Sequence, residues 1–210
     1  METLSPAHAM TQYAGGPNAA VLAEIYQPGV NLAVWEGGLD WQARLGAETL
    51  CRARPGFLCN SHGTAAAVDA DVRRRWPTDP ALNPLLVAVT DCARMFAELF
   101  EPPAIGLRIT ALDRAMCPRF HVDRIPVRMI ATFCGPGTEW LPKHVVDRDH
   151  LGASGTASSA QAEPQQLRAG DVALMKGEHW LGNEGNGLVH RSPAVDGHTA
   201  RLIATIDWLD

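Results

Sequence analysis

The chain changes character at Pro102-Pro103, and that change constrains the fold more than any other feature. Beyond it lie "AIGLRITAL" (104–112), "PVRMIATFC" (126–134), "GDVALMKG" (170–177) and "ARLIATIDW" (200–208). Each is a short β-compatible run, and the connections between them are rich in Gly, Pro, Asp and Asn. No helical pattern sits between these runs, so a βαβ sheet is disfavoured and an antiparallel double-sheet arrangement is expected.

Before the proline pair the texture is helical. "PLLVAVTDCARMFAELF" (84–100) has proline at its first turn and apolar residues at helical spacing. Residues 39–52 and 65–76 read as two further helices, and "VNLAVWEG" (30–37) as a strand between Pro28-Gly29 and Gly37-Gly38. Residues 1–20 lack periodicity and read as a flexible lead-in. The polar stretch 143–166 is too long for an ordinary connection and reads as a mobile loop, either disordered or a lid. The expected organisation is a single compact α+β domain. A flexible segment (1–20) precedes a helical support region (21–103), which packs on a double-stranded β-helix (jelly roll, cupin-like) core (104–210).

Composition removes several classes of function. The formal net charge of −5 argues against phosphate-backbone binding, and Arg73-Arg74-Arg75 reads as a solvated helix face. No run of about 18 apolar residues is present and no basic leader precedes an apolar core, so a cytoplasmic protein without membrane spans is expected. The five cysteines are odd in number and form no Cys-x-x-Cys pair, which disfavours a disulfide framework or a four-thiolate zinc site.

Chemistry enters at "CPRFHVDRIPVR" (117–128). In an extended segment residues i and i+2 share a side, so His121 and Asp123 can face one point. Alone the pair is also compatible with a polar strand end. His190 in "GNGLVHRSP" supplies a third ligand, and two imidazoles with one carboxylate form the facial triad that suits non-haem iron(II). Arg201, eleven residues later, is placed to clamp a carboxylate through its planar fork, or else to form a structural ion pair with a residue such as Asp207.

The order "HVD", "GPGTEWLP", "LRAGDVALMKG", "GLVHRSP" and "ARLIATIDW" resembles the core of iron(II)/2-oxoglutarate-dependent oxygenases, with the prolyl-hydroxylase branch nearest. Gly135, Gly137, Thr138, Trp140 and Pro142 match its second element, Leu167, Gly170 and Asp171 its third, and Val195, Gly197 and Arg201 its last. The whole chain is similar to a bacterial family catalogued as a domain of unknown function, number 1826. The resemblance implies His121, Asp123 and His190 as catalytic metal ligands, Arg201 as the anchor of 2-oxoglutarate, and a small-molecule or peptide substrate. It lacks the tyrosine often found beside the cosubstrate, and Arg128 and Thr132, on one face of their strand, are the expected replacements. Trp140, Trp180 and Asn183 are candidates to shape the substrate pocket, although "HWLGNEGN" also reads as a plain turn. The alternative function is a metal-binding protein without turnover, holding zinc or iron through the same triad; Arg201 discriminates, since a storage site needs no cosubstrate anchor.

Overall fold

A computed structural model describes residues 12–151, 163–195 and 200–210. The first half of the expected lead-in, the middle of the 143–166 loop, Gly197 and His198 lie outside the described residues.

Three helices form where the sequence caps them. Asp40 accepts from the backbone of Gln42 to start α1 (Trp41–Ala53), and Thr64 accepts from Ala67 to start α2 (Ala65–Arg75). The longest helix, α3 (Asn83–Phe100), begins with Pro84 in its first turn. Its Leu85, Val89, Cys92, Phe96 and Phe100 fall on one stripe and are buried. The helix ends at Glu101, which adopts a left-handed φ of 47° immediately before the proline pair.

The helices lie against one face of a seven-stranded sheet. Its strands are β1 (Tyr13–Gly16), β2 (Leu32–Trp35), β3 (Leu58–Gly63), β4 (Ala104–Leu112), β5 (Val127–Cys134), β8 (Val172–Lys176) and β10 (Arg201–Leu209), in the order β1-β2-β8-β5-β10-β4-β3. Only β1 and β2 pair in parallel. A small sheet of β6 (Glu139–Trp140), β7 (Gln165–Gln166) and β9 (His190–Arg191) carries the order β7-β6-β9.

Strand alternation divides the large sheet into two faces. Val127, Met129, Ala131 and Phe133 of β5, with Leu202, Ala204 and Ile206 of β10, join the helices in the main core. Ile130 and Ile203 point the other way and pack with Trp140, Leu167 and Leu188 from the region of the small sheet. Two sheets facing across an apolar layer, with helices outside, are the double-stranded β-helix that the sequence led us to expect.

Two strands of the large sheet fall where none was expected, as does the short β7 at the end of the 143–166 stretch. β1 lies within the 1–20 segment, and β3 closes one edge of the sheet from within the helical support region. β3 is hard to read because its inward positions are Cys59 and Ser61, while the apolar Leu58 points outward. Among the described residues no helix is long and apolar enough to cross a membrane.

Candidate metal centre

The connection between β4 and β5 carries His121 and Asp123 across to β9. His121 and His190 form an antiparallel bridge with reciprocal backbone hydrogen bonds, each 3.0 Å. That bridge aligns the two imidazoles, whose ring centres lie 4.6 Å apart. Asp123, two residues on, turns its carboxylate between them: Oδ1 is 3.7 Å from His121 Nε2, and Oδ2 is 3.4 Å from His190 Nε2. One donor atom from each residue lies within 4.8 Å of the others.

The surroundings prepare these groups for a metal. His121 Nδ1 faces the Arg119 carbonyl at 2.9 Å and His190 Nδ1 faces that of Leu188 at 3.0 Å. Each carbonyl holds a proton on Nδ1 and leaves the Nε2 lone pair directed at the site, as metal-bound histidines require. Burial lowers the His190 pKa, which favours the neutral imidazole that a metal needs. Gly177 and Glu178 donate from their backbone to Pro126 and Asp123, tying the ligand loop to the end of β8. On the far side Arg191 lies over the Phe120 ring and pairs with Glu139 at 2.6 Å. Two neutral imidazoles and a carboxylate fit a divalent first-row ion, and no soft thiolate joins them in the cluster.

Arg201 sits on the same sheet face as Ile203 and is fully buried. Its Nε donates to the Pro136 carbonyl at 2.7 Å and its Nη2 to Thr138 Oγ1 at 3.2 Å. Nη1 has no partner, and no carboxylate among the described residues pairs with this cation. Burial lowers its pKa to about 10. Gly135, with φ of 77°, makes the turn before Pro136; a Cβ there would lie 2.5 Å from the Ala200 carbonyl. The hydroxyls of Thr132 and Thr110 are also buried without partners. Both threonines flank Ile203 in the strand register, so three unpartnered polar groups share one region of the concave face. These orphaned atoms suit a carboxylate ligand.

The other candidates have different surroundings. Arg128 is held by Asp207 through two hydrogen bonds of 2.6 and 2.8 Å and donates to Asp123 Oδ2 at 2.8 Å. Its guanidinium thus orients a metal ligand, and its pKa is raised by those two carboxylates despite burial. The Asp207 pairing weighed for Arg201 belongs to Arg128. Trp180 packs among Tyr26, Phe100 and Lys176 on the helical side of the sheet. Trp140 and Asn183 line a cleft of about 460 Å³ beside Asn31 and Tyr13, and none of the three triad residues lines it. Cys134 lies 4.0 Å from Cys51 in the core, and Cys117 is exposed. Sequence reasoning missed Thr110 and Asp207 as parts of the site; alternation marks their faces, but only cross-strand register brings them to Arg201 and Arg128.

Fold and site together define a jelly-roll protein with a His-Asp-His centre suited to a divalent metal. Residues 16–207 match the model of a family described as protein of unknown function, DUF1826, and the chain belongs to that family. No curated protein matches the sequence. Among solved structures, a rice dioxygenase for auxin oxidation is similar at 14% identity and TM-score 0.54, over 94% of this chain and 82% of that one. A provisionally assigned oxygenase from Shewanella oneidensis gives 12% and 0.53, over 95% and 90%. A prolyl-4-hydroxylase from Pseudomonas putida gives 12% and 0.49, over 91% and 99%. At such identities the likeness to the first two is one of fold.

Proposed function

We propose that this chain is an iron(II)- and 2-oxoglutarate-dependent oxygenase of the hydroxylase type. The observation that carries the reading is Arg201, a fully buried guanidinium with an orphaned Nη1 and no counter-ion among the described residues. An unpaired buried cation is costly, and an anion bound beside it would relieve that cost. A dicarboxylate with one end on the metal and the other on Arg201 would supply that anion, and the free hydroxyls of Thr132 and Thr110 suit its oxygens. The fold shared with the rice dioxygenase supports the same reading.

When bound, iron(II) and 2-oxoglutarate supply oxygen activation coupled to decarboxylation of the oxoacid to succinate and carbon dioxide, with one oxygen atom passed to the substrate. The chain supplies the geometry. His121, Asp123 and His190 would hold the metal and leave positions open, unlike the closed shell of a structural site. Arg128 fixes the Asp123 carboxylate, and Asp207 fixes Arg128. Ile130, Ile203 and Leu188 line the interior with apolar side chains, which strengthens the Arg201 interaction with any anion bound there.

The test is anaerobic iron(II) titration of metal-free protein, followed by succinate measurement from 2-oxoglutarate in air. We expect metal binding that His190→Ala abolishes. We also expect succinate formation whose 2-oxoglutarate requirement rises about a hundredfold in Arg201→Met, the usual cost of losing a buried charge partner. Succinate formation indifferent to Arg201→Met, or tight metal binding with no succinate at all, would sink the proposal.

A further inference from the structure

A second cleft, of about 410 Å³, opens at the end of the concave face away from Arg201. Asn60, His62, Arg108, Arg128, Thr205 and Asp207 line it. The strand register places these side chains in two adjoining rows. Asn60 pairs with Arg108 and Arg108 with Thr205, while His62 pairs with Gly106, Gly106 with Asp207 and Asp207 with Arg128. The cleft adjoins the metal centre through one side chain, because Arg128 in its wall donates to the metal-ligating carboxylate of Asp123.

The charges in this cleft do not balance. Both oxygens of Asp207 are taken by Arg128. Arg108 is exposed; among the described residues its side chain donates only to the Met116 sulfur, at 3.9 Å, and pairs with no carboxylate. Nearby arginines are treated differently: Arg73 pairs with Asp69, and Arg74 and Arg75 with Asp71. Arg108 therefore brings a guanidinium without a carboxylate partner among the described residues into the wall of the cleft, where an anion can reach it. Beside it stand further polar side chains, the His62 ring, the Asn60 amide and the Thr205 hydroxyl, while Met116 and Leu209 offer apolar surface.

We infer that the substrate of this site is a small organic anion whose carboxylate or phosphate group docks on Arg108, with its body directed past Arg128 toward the metal. The inference rests on the oxygenase reading for the word substrate, but anion binding at Arg108 can be measured without turnover. A planar guanidinium grips either oxyanion through paired hydrogen bonds, and a positive cleft repels cations. The cleft volume is that of a small-metabolite site.

The test uses zinc-loaded full-length protein and calorimetric titration with L-glutamate, citrate and glycerol phosphate, with glucose and putrescine as neutral and cationic controls. We expect at least one anion to bind and neither control to do so. Affinity should fall about tenfold or more in Arg108→Met, with Arg108→Lys between the two, as expected for loss of a forked charged contact. The contrast between glycerol phosphate and the carboxylates assigns the oxyanion. Arg201→Met serves as a control, because anions held at Arg201 are lost there and survive in Arg108→Met. Succinate formation is measured separately on wild type, and its absence there would count against the oxygenase reading and not against the docking site. Binding of none of the anions, equal binding of putrescine, or anion binding unaltered in Arg108→Met would overturn the inference.

Discussion

Two buried cations show how differently this chain uses positive charge. Arg201 keeps an orphaned Nη1, whereas Lys176 donates to the Gln27 carbonyl at 2.9 Å and lies 4.8 Å from the centre of the Trp180 ring. Lys176 is therefore satisfied without a carboxylate, and Trp180 is committed to the helical side of the sheet rather than to the substrate. Burial lowers the Lys176 pKa to about 8. The folded pKa lies below the unfolded value of about 10.4, so the unfolded chain binds more protons between those limits. The charge penalty is fully present below pH 8 and is relieved as pH rises toward 10. The stability of wild type relative to Lys176→Met should accordingly climb between pH 7.5 and about 10. Paired denaturant melts across that range check the prediction, and a flat difference would contradict it.

At the scale of elements, the end of β8 is the support on which the ligand loop rests. A Cβ on Gly177 would lie 2.1 Å from the Ile125 carbonyl and 2.6 Å from that of Asp123. Backbone atoms cannot yield as a flexible side chain can. Gly177→Ala should therefore push the Asp123 carboxylate out of line and weaken metal binding by about 10- to 100-fold, the range found when support around a ligand is lost. Metal titration of a variant whose far-ultraviolet dichroism matches wild type is the measurement. Undiminished affinity would mean that the loop is positioned by the His121–His190 bridge alone. The helix α3 has a different task, covering the outer face of the sheet through Phe96 and its neighbours. Truncation of Phe96 to Ala should cost about 3–5 kcal/mol of stability in a denaturant melt.

For the whole molecule, the helical and β-rich halves share one sheet and one core. β2 and β3 come from the first half yet pair with β8 and β4 of the second. A fragment of residues 104–210 would expose both the edge of β4 and the apolar face that α1 and α3 cover. We expect it to aggregate or to lack a cooperative unfolding transition, and sedimentation with thermal melting of the purified fragment checks this. A monomeric, cooperatively folding fragment would show that the second half is a domain by itself.

Much of this was legible in the residue order. Helical spacing with Pro84 marked α3, apolar runs between turn residues marked β4, β5, β8 and β10, and the i, i+2 relation put His121 and Asp123 on one side. The two-residue strands β6, β7 and β9 were not legible, because two positions carry no period. What the sequence by itself determined was which residues alternate to a common face. Which strands lie side by side was decided only by the tertiary structure. Register, a property of pairs of strands, gave Asp207 to Arg128 and, among the described residues, left Arg201 without a counter-ion beside two free hydroxyls and Arg108 unpaired in a cleft. The charges that define this site are set by neighbours many residues distant, and hydrophobic periodicity carries no information about them.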